Sequence, residues 1–334
     1  MFEAMAQGLV SPIVELLARW DSKTFWLYFA CSALMAAYII SRRSPAPSIR
    51  GTLSFLFPRA IYAHPSAIND YKIWILNNLL NAAVLLPYAA MLTQATSLAV
   101  EHALGALVGQ ASLNWHAGWV SRVLFTAVEL LVIDAGFFFA HYLQHRVPLL
   151  WQFHKTHHSA EVLMPITVFR MHPVDLMLHT SLVCVLAGGM IGIFSFLYAG
   201  PVTAFAVNGF NICLFAFYVA GIHLRHAHVW VMYPRWIAKH ISSPALHLIH
   251  HSSDPKHADK NMAQIFNFWD RMFGTLYLPT EQEGIRFGLW NDEHLQFRSL
   301  GALYGRPFLD ALALLRPKRG PAVAARPEES VRRS

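Results

Sequence analysis

Between Asp134 and His158 the chain reads D-A-G-F-F-F-A-H-Y-L-Q-H-R-V-P-L-L-W-Q-F-H-K-T-H-H. Its first half is apolar enough for a membrane helix, yet that half ends in His141 and His145, and nine residues later come His154, His157 and His158. A third cluster, His247, His250 and His251, repeats the H-x-x-H-H spacing about ninety residues on. Eight imidazoles at these spacings describe a metal site better than any other feature of the chain.

Composition sets the surroundings. Of 334 residues, 55% are hydrophobic and 13% charged, and the mean hydropathy is +0.37. An all-α integral membrane protein fits this better than the two soluble domains that length alone would suggest. Cys31, Cys184 and Cys213 lie in apolar segments as packing residues, without a disulfide framework or thiolate site. The formal charge of +7 suits positive loops against lipid headgroups, and nothing points to nucleic acid.

Hydropathy and charge predict about five transmembrane helices, at Phe25–Ile40, Ile73–Val100, Val120–Ala140, Val174–Tyr198 and Val202–Ile222, the last two broken at Gly200-Pro201. Residues 1–24 read as an amphipathic lead-in and Ser41–Lys72 as a basic cytoplasmic loop. This topology puts the N-terminus outside and all three histidine clusters in a cytoplasmic-face helical cap. Met262–Leu276 has helical apolar spacing, for a helix lying on the bilayer or capping the soluble part. The chain divides into an N-terminal membrane segment over 1–119, a catalytic region over 120–280 and a C-terminal extension over 281–334, disordered after Arg316.

His141 and His145 are four apart, so on a helix they stand one above the other. Asp134 shares that face, either orienting an imidazole through its free N–H or making an interhelical hydrogen bond. His154, His157 and His158 follow a bend at Pro148 and read as one helical face, and His247, His250 and His251 repeat the pattern after Pro244. In G-I-H-L-R-H-A-H, His226 is the best candidate to complete the coordination, while His223 and His228 are extra ligands or outer partners. His172 either lines the site or holds structure. His179 reads as a hydrogen-bonded interior residue near the substrate path. His64, His102, His116, His240, His257 and His294 lack box spacing and read as surface or loop residues. Neutral imidazole suits iron, zinc and copper. The boxes lack the Glu ligands of a ferritin-like bundle, and eight nitrogens are too many for one ion and enough for two.

With the closing F-W-D-R-M-F-G-T at 268–275 and R-M-H-P at 170–173, these boxes resemble the sterol desaturase/fatty acid hydroxylase superfamily over roughly Val120–Leu278. The resemblance implies a membrane-embedded non-haem enzyme with two iron ions, using O₂ as co-substrate and two electrons to hydroxylate or desaturate a C–H bond of a sterol, fatty acyl or related lipid. It also implies that His141, His145, His154, His157, His158, His247, His250 and His251 are the iron ligands, with His226 near them. The lipid would come from the bilayer and the electrons from a separate ferredoxin, cytochrome or reductase, since no G-x-G-x-x-G follows a strand pattern and His64-Pro65-Ser66 is not a cytochrome b5 motif. Lys155, Arg235, Lys239 and Lys256 offer a docking patch, or simply solvated positive charge. Alanine- and arginine-rich ends fit a bacterial inner membrane; a eukaryotic chain would sit in the endoplasmic reticulum. The competing classes are a haem cytochrome, a zinc-binding protein or metal transporter without oxygenase activity, and a non-catalytic scaffold.

Overall fold

The computed structural model describes residues 23, 25–43 and 48–315. Nearly all of the lead-in over residues 1–24 and the tail after Arg316 lie outside these residues. The apolar α1 (Trp26–Arg43) precedes α2 (Ile49–Leu56), which Ser48 caps by accepting the Gly51 N–H at 3.0 Å. The expected basic loop is therefore partly helical. α3 (Pro65–Val108) runs for 44 residues, about 66 Å. That is twice what a bilayer needs, and its first turns bury Ser66, Ala67, Asn69, Asp70, Ile73 and Asn77 in the cap. A π-turn at Asn81–Leu85 interrupts it just before Pro87. Proline lacks the N–H that continues an α-helical ladder, and the wider turn absorbs the lost bond.

α4 (Trp119–Arg146) carries the first histidine pair in its last turns. Pro148 drives the preceding residue out of the helical region; Val147 sits at φ −97°, ψ 112°, and α5 (Pro148–His158) starts at once in a new direction. α6 (Pro173–Leu197) opens with the His172 ring accepting the Val174 N–H at 3.1 Å. α6 packs along both α3 and α4. The approach to α3 is close because of Gly188 and Gly192, a G-x-x-x-G pair: a Cβ at Gly192 would lie 2.4 Å from the Ser97 carbonyl oxygen.

Among the described residues, α3, α4 and α6 are the three helices long and apolar enough to cross a membrane. The fifth expected span, Val202–Ile222, is not one helix. It holds an antiparallel pair, Ala206–Val207 with Phe210–Asn211, and then α7 (Ile212–Val219), whose eight residues reach only about 12 Å. Asn208 and Gly209 turn the pair with φ of 47° and 80°, an Asn-Gly hairpin signal that a hydropathy count passes over. α1 is likewise shorter than the three spans.

After a 3₁₀ turn at Ile222–His226 come α8 (Pro244–His250), α9 (Phe268–Met272) and α10 (Leu300–Leu315). Of the helix expected over Met262–Leu276 only α9 is helical, and Met262, Ala263 and Ile265 are buried in the cap. α10 packs on α5, accepting the Thr156 hydroxyl at the Leu303 carbonyl (3.2 Å) and pairing Asp310 with Lys155 at 2.7 Å. The start of α3, the end of α4 and the start of α6 share one end of the bundle, and every histidine cluster lies there.

Candidate metal centre

Nine histidines converge in two groups. His141, His145, His154, His158 and His250 form one, and His157, His226, His247 and His251 form the other; within each, candidate ligand atoms lie within 4.8 Å of one another. The H-x-x-H-H spacing divides between them. In α5, positions i and i+4 (His154, His158) join the first group and i+3 (His157) the second. At α8 the sharing is reversed, with His247 and His251 in the second group and His250 in the first. Neighbouring helical residues point about 100° apart, so each box reaches both groups, where the sequence had suggested a single face.

Outer partners fix the rings. His141 donates from Nδ1 to the Met262 carbonyl at 2.8 Å, His250 to the Lys260 carbonyl at 2.8 Å and His157 to the Arg170 carbonyl at 3.2 Å. His154 donates to Asp175 Oδ2 at 3.0 Å and His145 to Asp259 Oδ1 at 3.2 Å. These partners put the proton on Nδ1 and turn the Nε2 lone pair inward, as metal-ligating imidazoles require. Nε2 of His145, His154, His158 and His250 is buried without a partner.

In the second group His226 Nε2 lies 3.3 Å from His157 Nε2, 3.0 Å from His247 Nε2 and 3.1 Å from His251 Nε2. Metal–nitrogen bonds of about 2.0–2.1 Å set neighbouring ligand nitrogens about 3–3.4 Å apart in octahedral to tetrahedral shells. Converging lone pairs repel without a cation between them, so both groups fit metal ions held by neutral nitrogen donors. His247 differs, because Arg225, which can only donate, faces its Nδ1 at 3.2 Å.

Burial keeps these rings neutral. It holds His157 down at about 3, with the neighbouring His141, which disfavours a second charge, the next cause. Burial also pushes His154, His158, His226, His247, His250 and His251 well below the usual imidazole range, each helped by neighbouring histidines or Arg225.

Two buried carboxylates hold the segment that supplies acceptors. Asp134 accepts the N–H groups of Ile265 (2.9 Å) and Phe266 (3.1 Å) and the Trp269 indole N–H (3.0 Å). It therefore orients no imidazole, and anchors the loop whose Met262 carbonyl does. Asp270, from the closing motif, accepts the Met262 and Ala263 N–H groups and the Thr275 hydroxyl. Asp259 and Asn261 adopt φ of 54° and 56°, a left-handed path that Asp and Asn tolerate, and residues 259–262 thereby face three ligand rings. Arg170 is fully buried and ties α3 to α5, donating to Asp70 Oδ1 at 2.7 Å, the Thr156 carbonyl and Ser159 Oγ.

The remaining candidates stand apart. His223 stacks on Phe29 with ring centroids 3.8 Å apart, and His228 donates to the Phe55 carbonyl at 2.7 Å. His172 caps α6 and donates to the Tyr304 carbonyl at 3.0 Å. None of the three joins either group. His179 bonds Gln144 Oε1 at 3.1 Å. His257 and His294 are buried, not on the surface: His257 sits 3.1 Å from Glu283 and His294 bonds the Leu289 carbonyl. Lys155 is also buried, between Glu293 and Asp310, and cannot belong to a docking patch. Lys256 is exposed but pairs with Glu283, and Arg235 and Lys239 are exposed as well.

Cavities meet the centre from two sides. A small one reaches His141, His154, His157, His226 and His247. It shares Lys23, Phe137, Val168, Met171 and His179 with a cavity of about 390 Å³ that continues between the spans past Leu85, Leu86, Val183 and Cys184. On the opposite side a third cavity, about 250 Å³, touches His145, His158 and His250 and is lined by Trp151, Asp259, Trp290 and Glu293.

A helical membrane bundle with a paired histidine centre at one end is the class these features define. Residues 126–275 match the fatty acid hydroxylase family, and this region resembles the sterol desaturase/fatty acid hydroxylase superfamily. Among curated relatives, alkylglycerol monooxygenase of Xenopus tropicalis is 28% identical over 53% of this chain and 34% of its own length. Ornithine lipid hydroxylase OlsE of Rhizobium tropici is 28% identical over 55% of this chain and 52% of its own. Delta(7)-sterol 5(6)-desaturase erg3C of Aspergillus fumigatus is 24% identical over 67% and 69%. The chain thus spans between a third and about half of the length of the first two. No solved structure matches it.

Proposed function

We propose that the chain is an O₂-dependent lipid hydroxylase or desaturase whose nine convergent histidines hold two iron ions. The observation that carries this reading is the division of the histidines into two groups, with Nδ1 tied outward on five rings and Nε2 facing inward. Bound there, the iron pair would supply the oxygen activation that attack on an unactivated C–H bond needs.

The chain's own residues do the rest. Leu85, Leu86, Phe137, Val183 and Cys184 line a passage between the spans that suits an alkyl or acyl chain entering from the bilayer and excludes water around it. Its size falls at the lower end of small-molecule ligand sites, about 300–1,000 Å³. Met262, Lys260, Arg170, Asp175 and Asp259 keep the rings aimed while the substrate enters and leaves. The Trp151 side of the centre is separate from that passage and suits the approach of a soluble reductant. Catalysis belongs to residues 120–280, with the histidines at the cytoplasmic face of a bacterial inner membrane. The names of the relatives, a lipid monooxygenase, a lipid hydroxylase and a sterol desaturase, support lipid C–H oxidation and leave the lipid open.

The test is mass spectrometry of lipids from cells expressing the chain or its His157→Ala variant. A lipid species that gains one oxygen or loses two hydrogens with the intact chain, and not with the variant, is the expected result. Equal products from both would contradict the assignment.

A further inference from the structure

Lys23 lines both the small cavity at the histidines and the larger one between the spans. Its ammonium lies 5.5 Å from the Phe137 ring centroid. The buried basic side chains near the centre are answered. Arg170 pairs with Asp70, Lys155 pairs with Glu293 and Asp310, and Arg225 donates to Ser242 Oγ and the Ala263 carbonyl. Among the described residues Lys23 has no ion-pair partner, and no Asp or Glu lines either cavity. Among the described residues the two cavities are thus lined by Lys23 and Arg225 and by no carboxylate; Asp134 and Asp270 act on Arg225 from outside them, and Lys23 is left without an anionic partner. An unpaired ammonium next to apolar walls costs stability unless a ligand supplies the counter-charge.

We propose that Lys23 anchors an anionic oxygen group, a carboxylate or a phosphate, on the lipid substrate, and that the bond oxidised lies near that end of the lipid. This rests on the lipid-oxidation reading above. The placement follows from the cavities: Lys23 faces the same small space as His141, His154 and His157, while the larger passage, polar at Asn77, Asn78 and Asn81, is also lined by Leu85, Leu86, Val183 and Cys184, which receive the chain. Burial, then Arg225, lowers the Lys23 ammonium to about 8, so it is still mainly charged at neutral pH. Charge-assisted hydrogen bonds of this kind are about twice as strong as neutral ones.

The test is equilibrium binding of hexadecanoate, hexadecyl phosphate and hexadecanol to the full chain, iron-loaded, in a neutral detergent. Tenfold or tighter binding of at least one anionic probe over the alcohol is expected, and the better of the two identifies carboxylate or phosphate as the recognised group. Lys23→Gln should erase the preference and Lys23→Arg keep it. Equal binding of all three probes, binding of none, or a preference that survives in folded Lys23→Gln would overturn the proposal. Binding is measured apart from turnover. A charge preference without oxidation of any bound probe would leave the anchor standing and count against the oxygenase reading.

Discussion

His154 and His157 lie three positions apart and belong to different metal groups, and each is aimed by an acceptor from elsewhere in the chain: Asp175 for one, the Arg170 carbonyl for the other. The histidines were legible in the sequence because a helix repeats, so spacing alone exposes them. The acceptors were not, since Asp175 meets His154 only once α6 packs beside α5, and Asp259 meets His145 across 114 residues. Asp134 was visible as a carboxylate on the histidine face, but its partners lie more than a hundred residues on, in a loop without a periodic signature. Among the outer partners Asp175 gives the sharpest test. Replacing Asp175 with Ala should weaken metal retention about 10–100-fold while the protein still inserts, read as metal content after dialysis against a graded chelator. Retention equal to the parent chain would show that the carboxylate is not needed to hold His154.

The break between α4 and α5 was readable from Pro148, as was the start of α8 from Pro244. The long reach of α3 into the cap was not, because its polar face, Asn69, Asp70 and Asn77, looks like ordinary loop composition until Arg170 and the Phe169 and Met171 carbonyls meet it. α3 and α6 are held at the distance set by Gly188 and Gly192. A Leu at Gly192 places atoms where the Ser97 carbonyl already lies and should separate the helices. The expected cost is about 1–3 kcal/mol, seen as a lower Tm in detergent, together with loss of lipid oxidation because the passage runs between these helices. An unchanged Tm would mean that the close contact contributes little.

Across the whole molecule, membrane character was evident from composition, whereas the number of spans was not, because hydropathy does not distinguish an apolar hairpin with α7 from a crossing helix. The buried imidazoles also make the metal-free protein sensitive to acid. His157 has its ordinary value of 6.5 lowered to about 3 in the folded chain. Between those values the unfolded chain takes up a proton that the folded chain refuses, so stability falls as pH drops through that window. The other buried rings with lowered values act in the same direction. Chelator-treated protein should therefore show a falling Tm from about pH 7 to about pH 5, with metal-loaded protein resisting until its ions are released. A flat profile for the metal-free form would indicate that the rings are not buried as described.

The most direct test of the paired centre is metal content of the detergent-purified chain, expressed with ample iron, together with its visible spectrum. About two irons per chain and no Soret band is the result the two histidine groups predict. Haem, or tightly held zinc with no iron, would contradict it.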